Sequence, residues 1–182
     1  RLAQGHTRRI DVGQVNGRWF DNNVGLGYEA MVNIEAHRIT WLQGQPLYLV
    51  AALRAMASYP LPVVDIYKED GDRLGKQILM ISVGNNRRNG GGFLVNPNAV
   101  PDDGLLDLCI VDAIPRRQIL RLLPKAMKGA HDGEPAVELA RSTRLVVESS
   151  VPLPIHADGE ILDNQGLRIE ITVEPGRLEV VV

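Results

Sequence analysis

Two-residue turn signals recur between short alternating apolar runs, and this pattern restricts the fold before any motif is considered. Asn16-Gly17 separates Arg9–Val15 from Arg18–Val24, and Asp70-Gly71 separates Val63–Glu69 from Leu74–Val83. A type I′ hairpin needs positive φ at both central residues, which Asn-Gly and Asp-Gly tolerate best. Leu167–Val173 alternates strictly, with Ile169, Ile171 and Val173 on one face and Arg168, Glu170 and Thr172 on the other. Leu178, Val180 and Val182 continue that period after an expected Pro175-Gly176 turn. Such segments predict half-buried antiparallel strands. Ile78–Val83, Leu105–Val111 and the shorter Leu145–Val147 are apolar on both faces and are expected in the interior.

Three segments have helical spacing. Glu29–Ile39 is one. Leu47–Ala57 follows Pro46, whose missing donor costs nothing at a helix start, and sets Leu49, Ala52, Leu53 and Met56 on one face. Arg116–Lys128 groups Ile119, Leu122, Leu123 and Ala126, with Pro124 expected to bend or interrupt it. About ten strands with two or three helices predict a mainly β domain, an antiparallel β-sandwich decorated by helices. Aromatic residues are only 4% of the chain, so its core must be aliphatic.

At 182 residues the chain fits one domain. Its net charge of −2 and its basic residues, which come in pairs (Arg8-Arg9, Arg87-Arg88, Arg116-Arg117) rather than tracts, argue against a nucleic-acid partner. Cys109, the only cysteine, sits in an apolar run and reads as a buried hydrophobe. No intrachain disulfide can form, which suits a reducing cytoplasm. No run approaches the roughly 20 apolar residues of a membrane span, and no signal peptide is visible. A first residue Arg1 in place of Met is expected of a piece of a longer protein.

Four constellations could carry chemistry. Asn85-Asn86-Arg87-Arg88-Asn89 leads into Gly90-Gly91-Gly92, where the backbone can approach a ligand or present N–H groups to an anion. Asp102-Asp103-Gly104 could hold a hard cation or form an ordinary turn. Asp158-Gly159-Glu160 would set two carboxylates on one side of a strand, where they could divide proton acceptance and metal binding, or it could be a polar hairpin turn. Asp132-Gly133-Glu134 repeats the tripeptide in what reads as a helix-to-strand loop. Phe20–Ala30 carries Gly25 and Gly27 but lacks the third glycine and the βαβ setting of a dinucleotide fingerprint. His6, His37, His131 and His156 show no ligand spacing.

In order along the chain, Arg9–Gly13, Phe20–Ala30, Val83-Gly84-Asn85, Gly90-Gly91-Gly92, Pro97-Asn98-Ala99, Asp102–Asp107 and Asp158-Gly159-Glu160 resemble the carboxy-terminal part of the diacylglycerol kinase and sphingosine kinase superfamily, in its bacterial soluble branch. The resemblance implies that residues 1–182 are the β-sandwich half of a two-domain, ATP- and Mg²⁺-dependent lipid kinase with its site between the domains. The family's Gly-Gly-Asp-Gly-Thr phosphate loop belongs to an amino-terminal α/β ATP-binding domain and is absent here, so the fragment alone is expected to be inactive.

By the same resemblance Asp158 would be the general base toward a lipid hydroxyl, and Glu160 would position that base or a catalytic Mg²⁺. Asp103 would hold a structural Mg²⁺ with the backbone carbonyls of Val100 and Leu105. Asn85, Gly90, Gly91 and Gly92 would line the cleft. Expected partners are the amino-terminal domain and a lipid at a membrane surface, with a homodimer left open. The implied location is cytoplasmic with peripheral membrane association. Without a polybasic tract or a strongly amphipathic basic helix, that association is expected to rest on an apolar mouth. Diacylglycerol, phosphatidylglycerol and long-chain bases all stay open as substrates. The competing readings are a non-catalytic β-sandwich binding module and a kinase for a soluble alcohol or nucleotide cofactor.

Overall fold

Apolar spacing and element positions agree closely. The computed structural model describes residues 5–69, 73–89 and 92–181. In chain order it contains β1 (Thr7–Val15), β2 (Arg18–Phe20), β3 (Asn23–Gly27), α1 (Tyr28–His37), α2 (Gly44–Ser58), β4 (Val63–Lys68), β5 (Arg73–Gly84), β6 (Leu106–Asp112), α3 (Arg116–Lys128), β7 (Val137–Ser142), β8 (Arg144–Ala157) and β9 (Glu160–Val181). The strands form one sheet in the order β2-β1-β9-β8-β3-β5-β6-β7, with β4 joining β5 and β8. At 49% strand against 23% helix, the domain is mainly β as expected.

Asn16 (φ 46°) and Gly17 (φ 84°) adopt the positive φ values that the hairpin turn demands. The Asp70-Gly71 turn lies outside the described residues, although its two arms do pair, Ile66 opposite Leu74. Two expectations need correction. The Arg18–Val24 run is broken at Asp21-Asn22 into β2 and β3. Pro175-Gly176 is a bulge and not a turn: Ile10 pairs with Leu178 and Val12 with Glu174, so Pro175, Gly176 and Arg177 face Asp11 alone. The Asp11 carboxylate accepts the Gly176 N–H at 2.7 Å, which replaces the missing ladder bond.

β3 and β4 lie along successive stretches of the same two neighbours. Leu26 pairs with Ile81 and Ile155, and Val64 pairs with Lys76 and Ser149. The chain thus leaves a strand line at Gly27, forms α1 and α2, and rejoins that line at Val63. Alternation then divides the interior in two. Leu106, Leu108 and Ile110 of β6 enter a core shared with Val15 and Phe20 from the far end of the sheet, which requires the sheet to curl over itself as a sandwich. Cys109 and Val111 point the other way, into a second core with Tyr28, Ala52, Ala55, Leu79 and Ile119 under the helices. Each fully buried Ile or Leu contributes about 1.5–3 kcal/mol. α3 runs through Pro124, whose ring lies on the exposed side.

Candidate active site

At the end of β3 the backbone turns into α1, which places Glu29 in the first helical turn. Glu29 Oε1 accepts hydrogen bonds from Asn23 Nδ2 at 3.0 Å and Asn89 Nδ2 at 2.9 Å, and His156 Nε2 stands 3.6 Å away. Asn89 Nδ2 also reaches Ser82 Oγ at 2.8 Å. Asn23, Ser82, Asn89 and His156 are all buried, yet Glu29 Oε2, Asn89 Oδ1 and His156 Nδ1 have no partner among the described residues. Buried polar atoms are rarely left so without a ligand or water to satisfy them.

The glycines of Phe20–Ala30 find their reason here. A Cβ on Gly25 would stand 2.3 Å from His156 Nε2 and 2.7 Å from Glu29 Cδ, so only glycine lets those side chains meet across β3. A Cβ on Gly27 (φ 76°) would meet the Tyr59 hydroxyl at 2.6 Å.

Glu29, Asn89 and His156 of this cluster line a cavity of about 130 Å³ between the helices and the sheet. Its walls are otherwise mostly apolar, with Val32, Leu79, Val111, Ile119 and Leu122 among them. Cys109 also lines it; burial, and to a lesser degree Glu29, push its thiol up to about 12, so it is inert surface and not a nucleophile. Tyr28 ties two of the walls together by donating its hydroxyl to Ala52 O at 2.6 Å.

Asp158 and Glu160 do not alternate along a strand as anticipated. Asp158 (φ 47°) and Gly159 (φ 86°) form the tip of the β8–β9 hairpin, with Ala157 paired to Glu160. Asp158 Oδ2 accepts the Asp21 N–H at 2.9 Å, and Oδ1 accepts those of Asn22 at 3.0 Å and Asn23 at 2.9 Å. Partial loss of hydration, then the neighbouring Asp158 carboxylate, raise the Asp21 carboxyl above its ordinary value. Glu160 is exposed and pairs with Arg18. Asn23 joins the two centres, its N–H bound to Asp158 and its side chain to Glu29.

The Asp103 turn is a separate centre tied to this one. Asp11, 2% exposed, accepts the Gly104 N–H at 2.7 Å on its other carboxylate oxygen. Asn85 Nδ2 donates to Asp11 O at 2.7 Å and to Asp21 O at 3.0 Å, so Asn85 links the Asp103 turn to the Asp158 turn. Asp103 Oδ1 accepts the Leu105 N–H at 3.1 Å, while Arg141 stands 3.6 Å from Asp103 and 3.4 Å from Asp107. Burial pushes the Asp107 carboxyl up against the opposing pull of Arg141, and its Oδ2 is unpartnered.

No cluster of three or more His, Cys, Asp or Glu able to hold a metal occurs among the described residues. One carboxylate with the carbonyls of Val100 and Leu105 is nevertheless an all-oxygen donor set, and Mg²⁺ takes such a set when water completes its shell. Arg141 stands against both Asp103 and Asp107, so a cation at Asp103 would share that carboxylate with the guanidinium. Of the glycine triplet, Gly90 and Gly91 lie outside the described residues. Gly92 (φ 98°) accepts a hydrogen bond from Arg88 at 2.8 Å. Asp132-Gly133-Glu134 lies in the loop after α3, where Glu134 pairs with Lys125.

The sequence motifs contain Glu29, Asn23, Asn89, Asp11 and Asp21, and His156 is one of four histidines without ligand spacing, but none of the six stands out there as a site residue. The usable signal was Gly25-Leu26-Gly27, which marks side chains crossing a strand at close range and not a phosphate loop.

Residues 22–182 match the family described as the YegS C-terminal NAD kinase β-sandwich-like domain. The diacylglycerol kinase of Mycobacterium tuberculosis is 32% identical over 98% of this chain and 59% of that protein. A Pseudomonas aeruginosa protein named "Probable lipid kinase YegS-like" is 30% identical over 95% of this chain and 56% of that protein. The chain therefore spans somewhat over half the length of these relatives. Among solved structures, a diacylglycerol kinase of Bacillus anthracis superposes with a TM-score of 0.67 at 18% identity, over 98% of this chain and 55% of that one. A second Bacillus anthracis chain reaches a TM-score of 0.74 at 20% identity, over 98% of this chain and 57% of that one. These superpositions establish a shared fold.

Proposed function

The chain belongs to the YegS C-terminal NAD kinase β-sandwich-like domain family, and from that premise we propose that it is the lipid-binding, hydroxyl-activating half of an ATP-dependent lipid kinase. One observation carries the reading: a largely apolar cavity is lined by a half-satisfied carboxylate, Glu29, which Asn23 connects directly to the Asp158 turn. An acyl-bearing alcohol fits that arrangement, with its chain among the apolar walls and its hydroxyl at the polar end. A soluble alcohol or a nucleotide would leave the apolar walls unused.

In the proposed reaction the substrate oxygen bonds to the γ-phosphorus of ATP, the bond from that phosphorus to the β-bridging oxygen breaks, and the hydroxyl proton passes to a carboxylate. ATP would come from an amino-terminal domain of the full-length protein. Asp158 is the proposed base. Three N–H donors hold its carboxylate in one orientation, and Oδ2, with a single N–H partner, keeps a lone pair for the hydroxyl. A second reading has a specific support: Glu160 is exposed and, among the described residues, its carboxylate is bound by Arg18 alone, which leaves it able to take the proton while Asp158 holds the turn. Mg²⁺ held by Asp103, Val100 and Leu105 would supply positive charge and fix that turn. Among the described residues no helix is long and apolar enough to cross a membrane.

The experiment is ATP-dependent phosphorylation of a lipid panel by the full-length protein with Mg²⁺ in detergent micelles. Labelled lipid product is expected. Asp158→Asn should cost about 10²–10⁴ in rate, and Glu160→Gln much less. The reverse order would transfer the base to Glu160, and phosphorylation of soluble alcohols alone would overturn the lipid reading.

A further inference from the structure

α3 carries Arg116, Arg117, Arg121, Lys125 and Lys128 and no acidic residue in its 13 positions, within a chain whose net charge is −2. Arg117, Arg121, Lys125 and Lys128 recur at i, i+4, i+8 and i+11, so they form one exposed stripe. The opposite face, Ile119, Leu122, Leu123 and Ala126, lines the cavity. This is the strongly amphipathic basic helix that the sequence appeared to lack; written linearly, its cations look like one pair and three scattered residues. Lys125 pairs with Glu134 and Arg116 donates to Ala57 O, whereas Arg117, Arg121 and Lys128 have no ion pair among the described residues.

α2 also walls the cavity, through Tyr48 and Ala52, and it too has no acidic residue. Next to those positions Leu49 and Leu53 are each 41% exposed, and on α3 Leu120 is 48% exposed beside Ile119. Trp41, in the segment between α1 and α2, is 67% exposed. α2 and α3, two of the three helices that line the apolar cavity, thus present cations and large apolar side chains but no carboxylate on their outer faces, whereas α1 carries Glu35, paired with Arg38.

We propose that the outer faces of α3 and α2 form the docking surface for an anionic lipid bilayer, with Arg117, Arg121 and Lys128 against the head groups and Leu49, Leu53 and Leu120 at the interface. Charge complementarity commits the surface to an anionic partner, and the exposed leucines beside the cations, on helices whose inner faces cover an apolar cavity, commit that partner to lipid. The inference rests on the lipid-kinase reading above.

The test is sedimentation of the full-length protein with vesicles of phosphatidylcholine alone and of phosphatidylcholine mixed with phosphatidylglycerol. Wild type should partition strongly onto the mixed vesicles only, and less as salt rises. Each basic residue near an anionic surface is worth roughly fivefold in partition, so R117E/R121E/K128E should weaken binding by about 100-fold or more. The same variant should phosphorylate a short-chain diacylglycerol, present as monomers, at the wild-type rate. Unchanged partition of the variant, or equal wild-type binding to both vesicle types, overturns the proposal. Wild type that ignores both vesicles also overturns it and points the stripe toward an acidic protein. Loss of monomer turnover in the variant overturns it as well, because the cations would then serve the site. If neither protein phosphorylates the monomeric lipid, the kinase reading fails while the vesicle result still reads the surface on its own.

Discussion

Asp158 and Glu29 are two carboxylates joined by one residue, and their surroundings are opposite. Asp158 has N–H donors on both oxygens, all from the backbone of Asp21–Asn23. Glu29 has side-chain amides on one oxygen and, among the described residues, nothing on the other, which is buried beside an apolar space. The first carboxylate organises the chain, and the second keeps one oxygen open beside the cavity. A group that holds backbone is costly to remove in any state of the protein, whereas a group with an open valence is costly mainly when its ligand is present.

The largest effect expected from breaking this contrast is on the Asp158 side. Asp158→Ala strips three N–H groups of their acceptor at once and should destabilise the protein by about 2–4 kcal/mol, since bonds to charged groups are worth about 1.5–3 kcal/mol each and the exposed donors recover water. Denaturant unfolding of the full-length protein measures this, and a loss under about 1 kcal/mol would remove Asp158 from its organising role. Next is Gly25→Ala, whose Cβ would lie 2.3 Å from His156 Nε2. It should cost about 1–3 kcal/mol by overpacking and separate Glu29 from His156, with lipid turnover falling further than stability.

How legible the two sides were in the sequence follows the same division. Local chemistry showed the hairpins, helices and doubly buried strands, because turn residues and apolar period act within a few positions. It exposed the Asp158-Gly159-Glu160 turn and the Asp103 turn for the same reason. Pro175-Gly176 misled because a turn and a bulge ask for the same residues, and only the partner strand, through Asp11, tells them apart. The Glu29 cluster was illegible as a cluster: Asn23, Ser82, Asn89 and His156 come from distant parts of the chain and meet only once β3, β5 and β8 are side by side.

Glu29→Gln sharpens the contrast from the other side. The amide keeps an oxygen for Asn23 and Asn89, so stability should change by less than about 1 kcal/mol. The open valence loses its charge, and a lipid head-group donor other than the reacting hydroxyl should bind to it about tenfold more weakly, equivalent to roughly 1.4 kcal/mol. That predicts a raised KM for lipid with KM for ATP unchanged. Equal loss on both substrates would give Glu29 an organising role, like the one Asp158 has at its turn.

The smallest effect concerns the acid beside Asp158. The Asp21 carboxyl is raised in the folded state by partial loss of hydration and by Asp158. Between the ordinary value of 3.8 and that raised value, the folded protein binds more protons than the unfolded chain, so stability falls as pH rises through the window. Above the window the whole penalty persists; below 3.8 it is absent. Asp21→Asn carries no such penalty and should therefore be more stable than wild type at neutral pH. Because Asp21 is exposed enough for solvent to screen the repulsion, the gain should stay under about 1 kcal/mol. Chemical denaturation across acidic to neutral pH should show the two proteins converging as pH falls. A gain independent of pH would assign it to the side chain's packing, and would mean that Asp158 meets no competing charge at its turn.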